Sequence, residues 1–283
     1  MGFVLVQHLD PIHESALPQL MTRVTSLPVS EVVHNVRVEP DQVYVIPPNA
    51  NLSIKHGVLK LEPRPVGRAP HLSIDYFFES LAQDQRECAI GVILSGSATD
   101  GTQGLEAIKA EGGITFAQDD SAAYDSMPRN AVAAGCVDFE MPPADIAREL
   151  SRIAKHPYLA REGGKFGAPE TRIREGGPQG QPKENEFKKI VQLLRTRFGV
   201  DFSLYKPNTM ERRIARRMLL NKMERAEEYA AFLRARPREL EALYSDMLIN
   251  VTSFFRNPAA FDLLEHKVFP ALVKQPRDKP IRV

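Results

Sequence analysis

The first 159 residues alternate between short apolar runs and longer stretches with helical periodicity. Short runs rich in β-branched residues are typical of buried strands. The candidate strands are 3–7, 42–46, 89–94 and 114–117. The candidate helices are 102–111, 128–134 and 143–155. Alternation of this kind predicts an α/β domain over 1–159, with a mostly parallel, doubly wound sheet covered by helices on both faces.

Residues 52–61 follow a different rule, because apolar and polar residues alternate there about His56-Gly57. This pattern predicts an antiparallel hairpin, which we place on the edge of the sheet.

After residue 159 the pattern changes twice. Residues 160–182 are rich in Gly, Pro and charged residues without a periodic apolar face, which predicts a linker. From 183 a helical stripe begins, made of Phe187, Ile190, Val191, Leu194 and Phe198. Further helices are predicted at 207–222, 226–235, 237–248 and 257–273. We therefore predict a small all-α domain over 183–273, with 274–283 as the start of a truncated second α/β domain.

The composition fits a globular protein of about two domains, with 43% apolar and 26% charged residues. No apolar run approaches the ~18 residues of a membrane span, so we expect no direct membrane insertion and a cytoplasmic location. The two cysteines and seven histidines show no metal-ligand spacing, and we expect no metal.

Charge divides the chain more sharply than composition does. Residues 1–182 carry 16 Lys and Arg against 23 Asp and Glu, whereas residues 183–283 carry 21 against 13. A half with net charge −7 joined to a half with +8 indicates two modules, the second with an anionic partner or cofactor.

Two residues with catalytic potential stand at predicted strand ends, His8 and Asp100. Sites in open α/β sheets form beyond the carboxyl ends of the strands. A carboxylate there can orient an imidazole that accepts a proton from a hydroxyl. The alternative is a capping histidine and an Asp-Gly turn.

The nucleophile that such a pair would serve is missing from the sequence, which contains no G-x-S-x-G. Ser15, Ser95 and Ser97 are better explained as polar loop residues than as substitutes. We therefore expect the N-terminal strand and its nucleophile turn to be missing, and the chain to be truncated at both ends.

The second module contains a cluster of arginines at 212, 213, 216 and 217, preceded by Lys206. Residues four apart share a helix face. Three interpretations stay open, namely a solvated face, a docking site for acidic peptides and a nucleic-acid footprint. The last is weakened because no aromatic stacking platform or known reading motif accompanies the basic residues.

Six blocks of the first domain occur in a recognisable order. They are Val6-Gln7-His8-Leu9-Asp10-Pro11, Pro28-Val29-Ser30-Glu31-Val32, Val43-Tyr44-Val45-Ile46-Pro47-Pro48, Ile93-Leu94-Ser95-Gly96 with Asp100-Gly101, Glu111-Gly112-Gly113-Ile114-Thr115-Phe116-Ala117-Gln118 and Met127-Pro128-Arg129. Together they resemble the catalytic domain of the chemotaxis receptor methylesterases (CheB type) over residues 2–159.

The resemblance implies hydrolysis of receptor glutamate methyl esters and deamidation of glutamines by a Ser-His-Asp triad without a cofactor. His8 matches the base, Asp100 its orienting acid, and the backbone N–H near Ser97 the loop that holds the oxyanion. Ser97-Ala98-Thr99 departs from the Gly-rich form usual in the family, and the serine has no counterpart here.

Residues 185–283 resemble the N-terminal helical domain of the chemotaxis receptor methyltransferases (CheR type). The matching segments are Tyr205-Lys206, Arg212-Arg213-Ile214-x-Arg216-Arg217 and Asn250-x-Thr252-x-Phe254-Phe255-Arg256. That family methylates receptor glutamates with S-adenosyl-L-methionine. The resemblance implies receptor docking by Lys206, Arg213 and Arg217, and cofactor binding by Asn250, Thr252 and Arg256.

From these observations we interpret the chain as a piece of a bifunctional receptor-modifying protein that acts on the cytoplasmic helices of methyl-accepting chemotaxis receptors. We expect the chain by itself to be inactive and to have no nucleic-acid partner. The alternative is a non-catalytic receptor-binding adaptor or a decayed enzyme.

Overall fold

The computed structural model of the protein describes residues 1–8, 15–64, 72–155, 182–202, 205, 207–248, 264–268 and 270. Contacts divide the chain into two units, Met1–Leu248 and Ile249–Val283. In the second unit the structure describes a π-helical turn at Leu264–Val268. The predicted linker lies outside the described residues except for Pro182. So do residues 274–283 and most of the predicted helix at 257–273.

In the first unit the described strands are β1 (Phe3–Leu5), β2 (Val29–Glu31), β3 (Val36–Arg37), β4 (Val43–Val45), β5 (Ala50–Lys55), β6 (Val58–Pro63), β7 (Ile90–Ile93), β8 (Ile114–Gln118) and β9 (Phe139–Met141). The helices are α1 (Leu17–Val24), α2 (Ser73–Gln85), α3 (Thr102–Ala110), α4 (Ser126–Ala133), α5 (Pro143–Ile153), α6 (Pro182–Phe198), α7 (Pro207–Leu220), α8 (Ala226–Ala235) and α9 (Pro237–Met247). A single 3₁₀ turn, Arg86–Cys88, joins α2 to β7.

The strands form three sheets of three. Two are parallel, in the orders β1-β4-β2 and β7-β8-β9, and the third is antiparallel in the order β3-β6-β5. The predicted fold, mostly parallel sheets with flanking helices followed by a helical region, is confirmed. Helices 226–235 and 237–247 also begin where the sequence predicts.

The predicted hairpin forms as β5 and β6, with Lys55 opposite Val58. His56 and Gly57 both take positive φ values, 54° and 71°, which a two-residue turn of this hand requires. Its position was predicted wrongly, because the hairpin pairs with β3 in a separate sheet and not with the edge of a parallel one.

Helix α2 was missed in the sequence, although its buried apolar residues Ile74, Phe77, Phe78 and Ala82 have helical spacing. The helix crosses α3 at close range. A Cβ atom on Gly104 would lie 2.4 Å from Cβ of Phe78, so the crossing needs a glycine. This contact fixes the start of α3 against the start of α2, which is where the candidate site lies.

Strands β1 and β7 are each paired on one side within the part of the chain that the structure describes. Both line a groove of ≈700 Å³ with largely apolar walls, formed by Val4 of β1, Val92 of β7, Phe77 of α2 and Leu150 of α5 among others. The walls are those that a parallel apolar strand between β1 and β7 would contact.

Helices α6 to α9 enclose a core of their own, which includes Ile190, Phe202, Ile214, Tyr229 and Leu243. The last apolar residues of α7, Leu219 and Leu220, pack in a different cluster. Leu219 is fully buried in a cluster with Ile114 and Phe116 of β8 and Ile146 and Ile153 of α5. The helical part (α6 to α9, residues 182–248) therefore shares a core with the α/β part (β1 to α5, residues 1–155). None of the described helices is long and apolar enough to cross a membrane.

Candidate active site and arginine-rich helix

The structure brings His8 and Asp100 together. Nε2 of His8 lies 2.9 Å from Oδ2 of Asp100, although 92 positions separate them in the sequence. The Asp100 side chain is 1% exposed and that of His8 is 47% exposed. The carboxylate is thus fixed inside the protein, while the imidazole that it holds faces outward and is accessible to a reactant.

Two backbone N–H groups in the first turn of α2 donate hydrogen bonds to the Asp100 carboxylate. The backbone N–H of Ile74 donates to Oδ2 at 3.0 Å, and that of Asp75 donates to Oδ1 at 2.9 Å. Helix N-termini carry orphan donors and a positive dipole end, so they stabilise an anion. The sequence predicts the pair but not this support, because α2 lies about 25 residues upstream of Asp100.

A second buried carboxyl group, Asp75, lies beside Asp100. It accepts a hydrogen bond from the Gly104 backbone N–H at 2.7 Å, which ties α2 to α3. The pKa of Asp75 is raised to about 6: burial is the largest cause, the Gly104 hydrogen bond opposes it, and the charge of Asp100 adds to it. Sequence reasoning missed Asp75; its signal was the helical pattern of α2, in which it is buried with the apolar residues.

The loop after β7 contains the predicted oxyanion position, Ser97. Its neighbours are anchored, since the Gly96 N–H donates to the Tyr124 carbonyl at 2.8 Å and the Ala98 N–H to the Ser126 hydroxyl at 3.1 Å. Ala98 has a φ of 76°, a conformation that costs energy in a residue other than glycine. The loop is therefore held in one shape, with Ser97 exposed between the two anchors.

The other serines near the pair have structural roles. The Ser95 hydroxyl accepts a bond from the Tyr124 N–H at 2.9 Å, and the Ser15 hydroxyl accepts one from the Leu17 N–H at 3.2 Å. These contacts hold loops and a helix start. They agree with the interpretation of these serines as polar loop residues.

The arginines of α7 are not a solvated face. Arg216, 1% exposed, donates to the Gly113 carbonyl at 3.1 Å, and its two terminal nitrogens lie 2.6 Å from Asp138 and 2.9 Å from Asp246. Arg213 donates to the Ala110 carbonyl at 2.9 Å. Helix α7 thus contacts the α/β part through its basic residues.

Arg217 is held inside the helical part by Glu239, with N–O distances of 2.9 and 2.5 Å. Burial by itself would lower the pKa of its guanidinium, but Glu239 and Asp246 outweigh burial and hold the pKa above its ordinary value. Lys206 lies outside the described residues. Receptor docking by Lys206, Arg213 and Arg217 stays a prediction.

Sequence reasoning also missed the partners of Arg216. The available signal was its spacing, since Arg216 precedes the apolar Leu219 by three residues and so shares its helix face. The cofactor candidates Asn250, Thr252 and Arg256 lie outside the described residues. Within the described parts, no group of His, Cys, Asp and Glu could hold a metal ion.

His8 and Asp100 meet beyond the carboxyl ends of β1 and β7, which is where sites form in open α/β sheets. The family model for the CheB methylesterase matches residues 1–150, more than half of the chain. The chain belongs to the CheB methylesterase family. A second model, the all-alpha domain of the CheR methyltransferase, matches residues 185–248.

Several known proteins are similar to the chain. A 104.1 kDa protein of the hypE 3′ region of Rhodobacter capsulatus is 35% identical over 269 residues, which is 92% of this chain and 28% of that protein. The protein-glutamate methylesterase/protein-glutamine glutaminase 1 of Burkholderia pseudomallei (strain 1710b) is 34% identical over 157 residues, 53% of this chain and 43% of that protein.

Among solved structures, the catalytic domain of the Thermotoga maritima CheB methylesterase is similar, with 25% identity and a TM-score of 0.49 over 54% of this chain and 83% of that one. The chain spans less than half the length of the two relatives described above.

Proposed function

We propose that this chain belongs to a protein that hydrolyses glutamate methyl esters, and deamidates glutamines, on the cytoplasmic helices of chemotaxis receptors. The observation that supports the proposal is the His8–Asp100 pair, with a buried carboxylate 2.9 Å from a half-exposed imidazole. Both reactions are attacks on a side-chain acyl carbon, for which such a pair supplies the base.

In the proposed reaction His8 takes the proton of an attacking serine hydroxyl and later returns it to the leaving group. In the structure Asp100 contacts Nε2, so Nδ1 would be the nitrogen that accepts the proton. Asp100 would stabilise the imidazolium, and the two N–H groups of α2 would hold the Asp100 carboxylate in place. The anchored loop at Ser97 would place a backbone N–H against the developing oxyanion.

The serine would come from a strand in the groove between β1 and β7. Parallel strands end at the same side of a sheet, so a turn after such a strand would stand near the ends of β1 and β7. His8 follows the first of these strands and Asp100 the second. This geometry supports a nucleophile from outside the described residues over any serine near the pair.

The test uses the complete protein and a methyl-esterified receptor, with released methanol as the readout. We expect His8→Ala and Asp100→Asn each to lower the rate by about 10⁴-fold. Ser151→Ala serves as the control that leaves the rate close to wild type, because its exposed hydroxyl donates to the Ala147 carbonyl within α5, away from the pair. Methanol release that survives His8→Ala would remove the histidine from the mechanism.

We also propose that the complete protein transfers methyl groups from S-adenosyl-L-methionine to receptor glutamates. The resemblance and the match to the CheR methyltransferase all-alpha domain support this proposal. Asn250, Thr252 and Arg256 would hold the cofactor, and Lys206, Arg213 and Arg217 would dock the receptor. In calorimetry on the complete protein, Arg256→Ala should weaken S-adenosyl-L-methionine binding while Arg234→Ala should not. Equal affinities would contradict the assignment.

The second candidate is a receptor-binding adaptor without catalysis. It is favoured by the structural roles of Ser15 and Ser95, whose hydroxyls accept backbone N–H bonds that hold a helix start and a loop. Receptor binding by the 283-residue chain without methanol release would support it.

A further inference from the structure

Helix α7 is held against the α/β part by charged groups along its length. The Arg212 guanidinium lies 3.5 Å from Glu87, and Arg213 donates to the Ala110 carbonyl. At the carboxyl end of α7 the donor belongs to the α/β part and the acceptor to the helix. Arg152 of α5 donates to the Leu219 carbonyl at 3.0 Å. The α/β part therefore offers carboxylates and carbonyls to the arginines and a cation to the helix C-terminus, as the helix dipole favours.

Arg216 is the centre of this contact. It joins Asp138 of the α/β part to Asp246 of α9, so one buried guanidinium bridges the two parts. Asp138 has other partners, because it accepts bonds from the backbone N–H and the hydroxyl of Thr115, both at 3.0 Å. The carboxylate is thus fixed in the α/β part with or without Arg216.

An apolar contact accompanies the charges. Leu219 is fully buried between β8 and α5, in the cluster that contains Ile114 and Ile146. On its opposite side α7 contributes Met210 and Ile214 to the core of the helical part. Since α7 belongs to that core, the helix can leave the α/β part only when the helical part leaves with it.

We propose that this contact is autoinhibitory: the α/β part covers the arginine face of α7, and an acidic helical segment competes with Glu87 and Asp138 for Arg212, Arg213 and Arg216. The partner must carry carboxylates, because carboxylates and carbonyls are what these arginines already bind. A face that is covered for most of the time binds with an affinity lowered by the fraction exposed. The inference rests on the proposed function only in its choice of a receptor-like acidic partner.

The experiment changes the carboxylates of the α/β part that contact α7, and it leaves α7 itself unchanged. The full chain is titrated into a labelled synthetic helical peptide of Glu and Ala, with a Gln-Ala peptide as the uncharged probe, and binding is measured by fluorescence anisotropy. Asp138→Asn weakens the hold on Arg216 but keeps an acceptor for Thr115. Glu87→Gln removes the partner of Arg212. Asp145→Asn is the matched control, because it removes the same charge from an exposed pair with Arg148.

We expect Asp138→Asn to tighten binding of the Glu-Ala peptide by at least about tenfold. Glu87→Gln should tighten it less, since Arg212 is partly exposed, and Asp145→Asn should leave it unchanged. Small-angle X-ray scattering should show a larger radius of gyration for Asp138→Asn with peptide bound. Melting curves check that each variant is folded, and Glu87→Gln carries the test if Asp138→Asn is not.

Two results would overturn the proposal in different ways. If Asp138→Asn and Glu87→Gln match Asp145→Asn in both peptide affinity and radius of gyration, the contact does not hide the arginines. If the radius of gyration rises without any binding of the Glu-Ala peptide, the contact opens but α7 is not a docking surface, and the receptor-docking part of the proposed function fails with it.

Discussion

The two parts of the molecule each bury a charged group, and they satisfy it in different ways. Asp100 receives two backbone N–H bonds and one half-exposed imidazole. The Arg216 guanidinium donates to two carboxylates and a carbonyl, and these acceptors are buried or nearly buried. A buried charge whose one side-chain partner faces outward can act on a reactant. A buried charge with only inward partners holds structure together.

This comparison predicts its largest effect at Arg216. Arg216→Met removes the nearest cation of Asp138 and of Asp246 and leaves Lys109 at 3.7 Å from the first and Arg217 at 3.8 Å from the second. Breaking a buried pair from one side costs about 3–5 kcal/mol. Urea unfolding should show this loss. Arg148→Met, which breaks an exposed pair, should cost no more than about 1 kcal/mol. Equal losses would mean that Arg216 is solvated in the folded protein.

The apolar half of the same contact is tested by Leu219→Ala. The side chain is 0% exposed, so its truncation should cost about 3 kcal/mol through lost burial and the cavity left behind. Leu20→Ala, at 54% exposure, should change the free energy of unfolding by about 0.5 kcal/mol or less. A small effect at Leu219 would place α7 away from β8 in solution.

The support behind Asp100 is tested by Gly104→Ala. The new methyl group would lie 2.4 Å from Phe78 and 3.2 Å from the Asp75 Cα atom, so α2 and α3 must separate. Overpacking of this kind costs about 1–3 kcal/mol. Gly135→Ala has open space for the methyl group but a φ of 72°, and so measures backbone strain alone. If Gly104→Ala leaves the free energy of unfolding unchanged, close packing at Gly104 contributes nothing.

Asp75 predicts the smallest effect, with a pH dependence of known sign. Its pKa is about 6 in the folded state against an ordinary value of 3.8, so its ionisation destabilises the fold as pH rises from about 4 to about 6. Asp75→Asn should therefore raise the free energy of unfolding by about 1–2 kcal/mol at pH 8 and by nothing at pH 4.

The control for Asp75 is Asp120→Asn, an exposed carboxylate whose removal should leave the pH profile as it is. A profile for Asp75→Asn that runs parallel to the wild-type one from pH 4 to pH 8 would contradict a raised pKa at this residue.

The elements that the sequence predicted correctly have strong local signals. Strands 90–93 and 114–118 are apolar runs between clear breaks, and helix α5 begins at Pro143, directly after Pro142. Strands β2, β3 and β9 were not predicted, since each is short and none lies in a continuous apolar run like those of β1 and β4. Such short strands are fixed by pairing with neighbours and not by their own pattern.

The candidate site divides in the same way. His8 and Asp100 follow strands, so the rule that sites form at strand ends was enough to select them, and the family resemblance gave their roles. The local signals at Asp75 and Arg216, a helical pattern and a three-residue spacing to Leu219, did not identify the partners of either residue. Aspartate and arginine are ordinarily exposed, and burial requires partners supplied by distant segments.

The sequence by itself determined the fold class, the family, the charge of each half and the two residues of the candidate dyad, because periodicity, motif order and composition are local properties. Only the tertiary structure decided that α2 supports Asp100, that the hairpin forms a separate sheet, and that the arginines of α7 face the α/β part. Those outcomes depend on which segments meet, and no single segment carries that information.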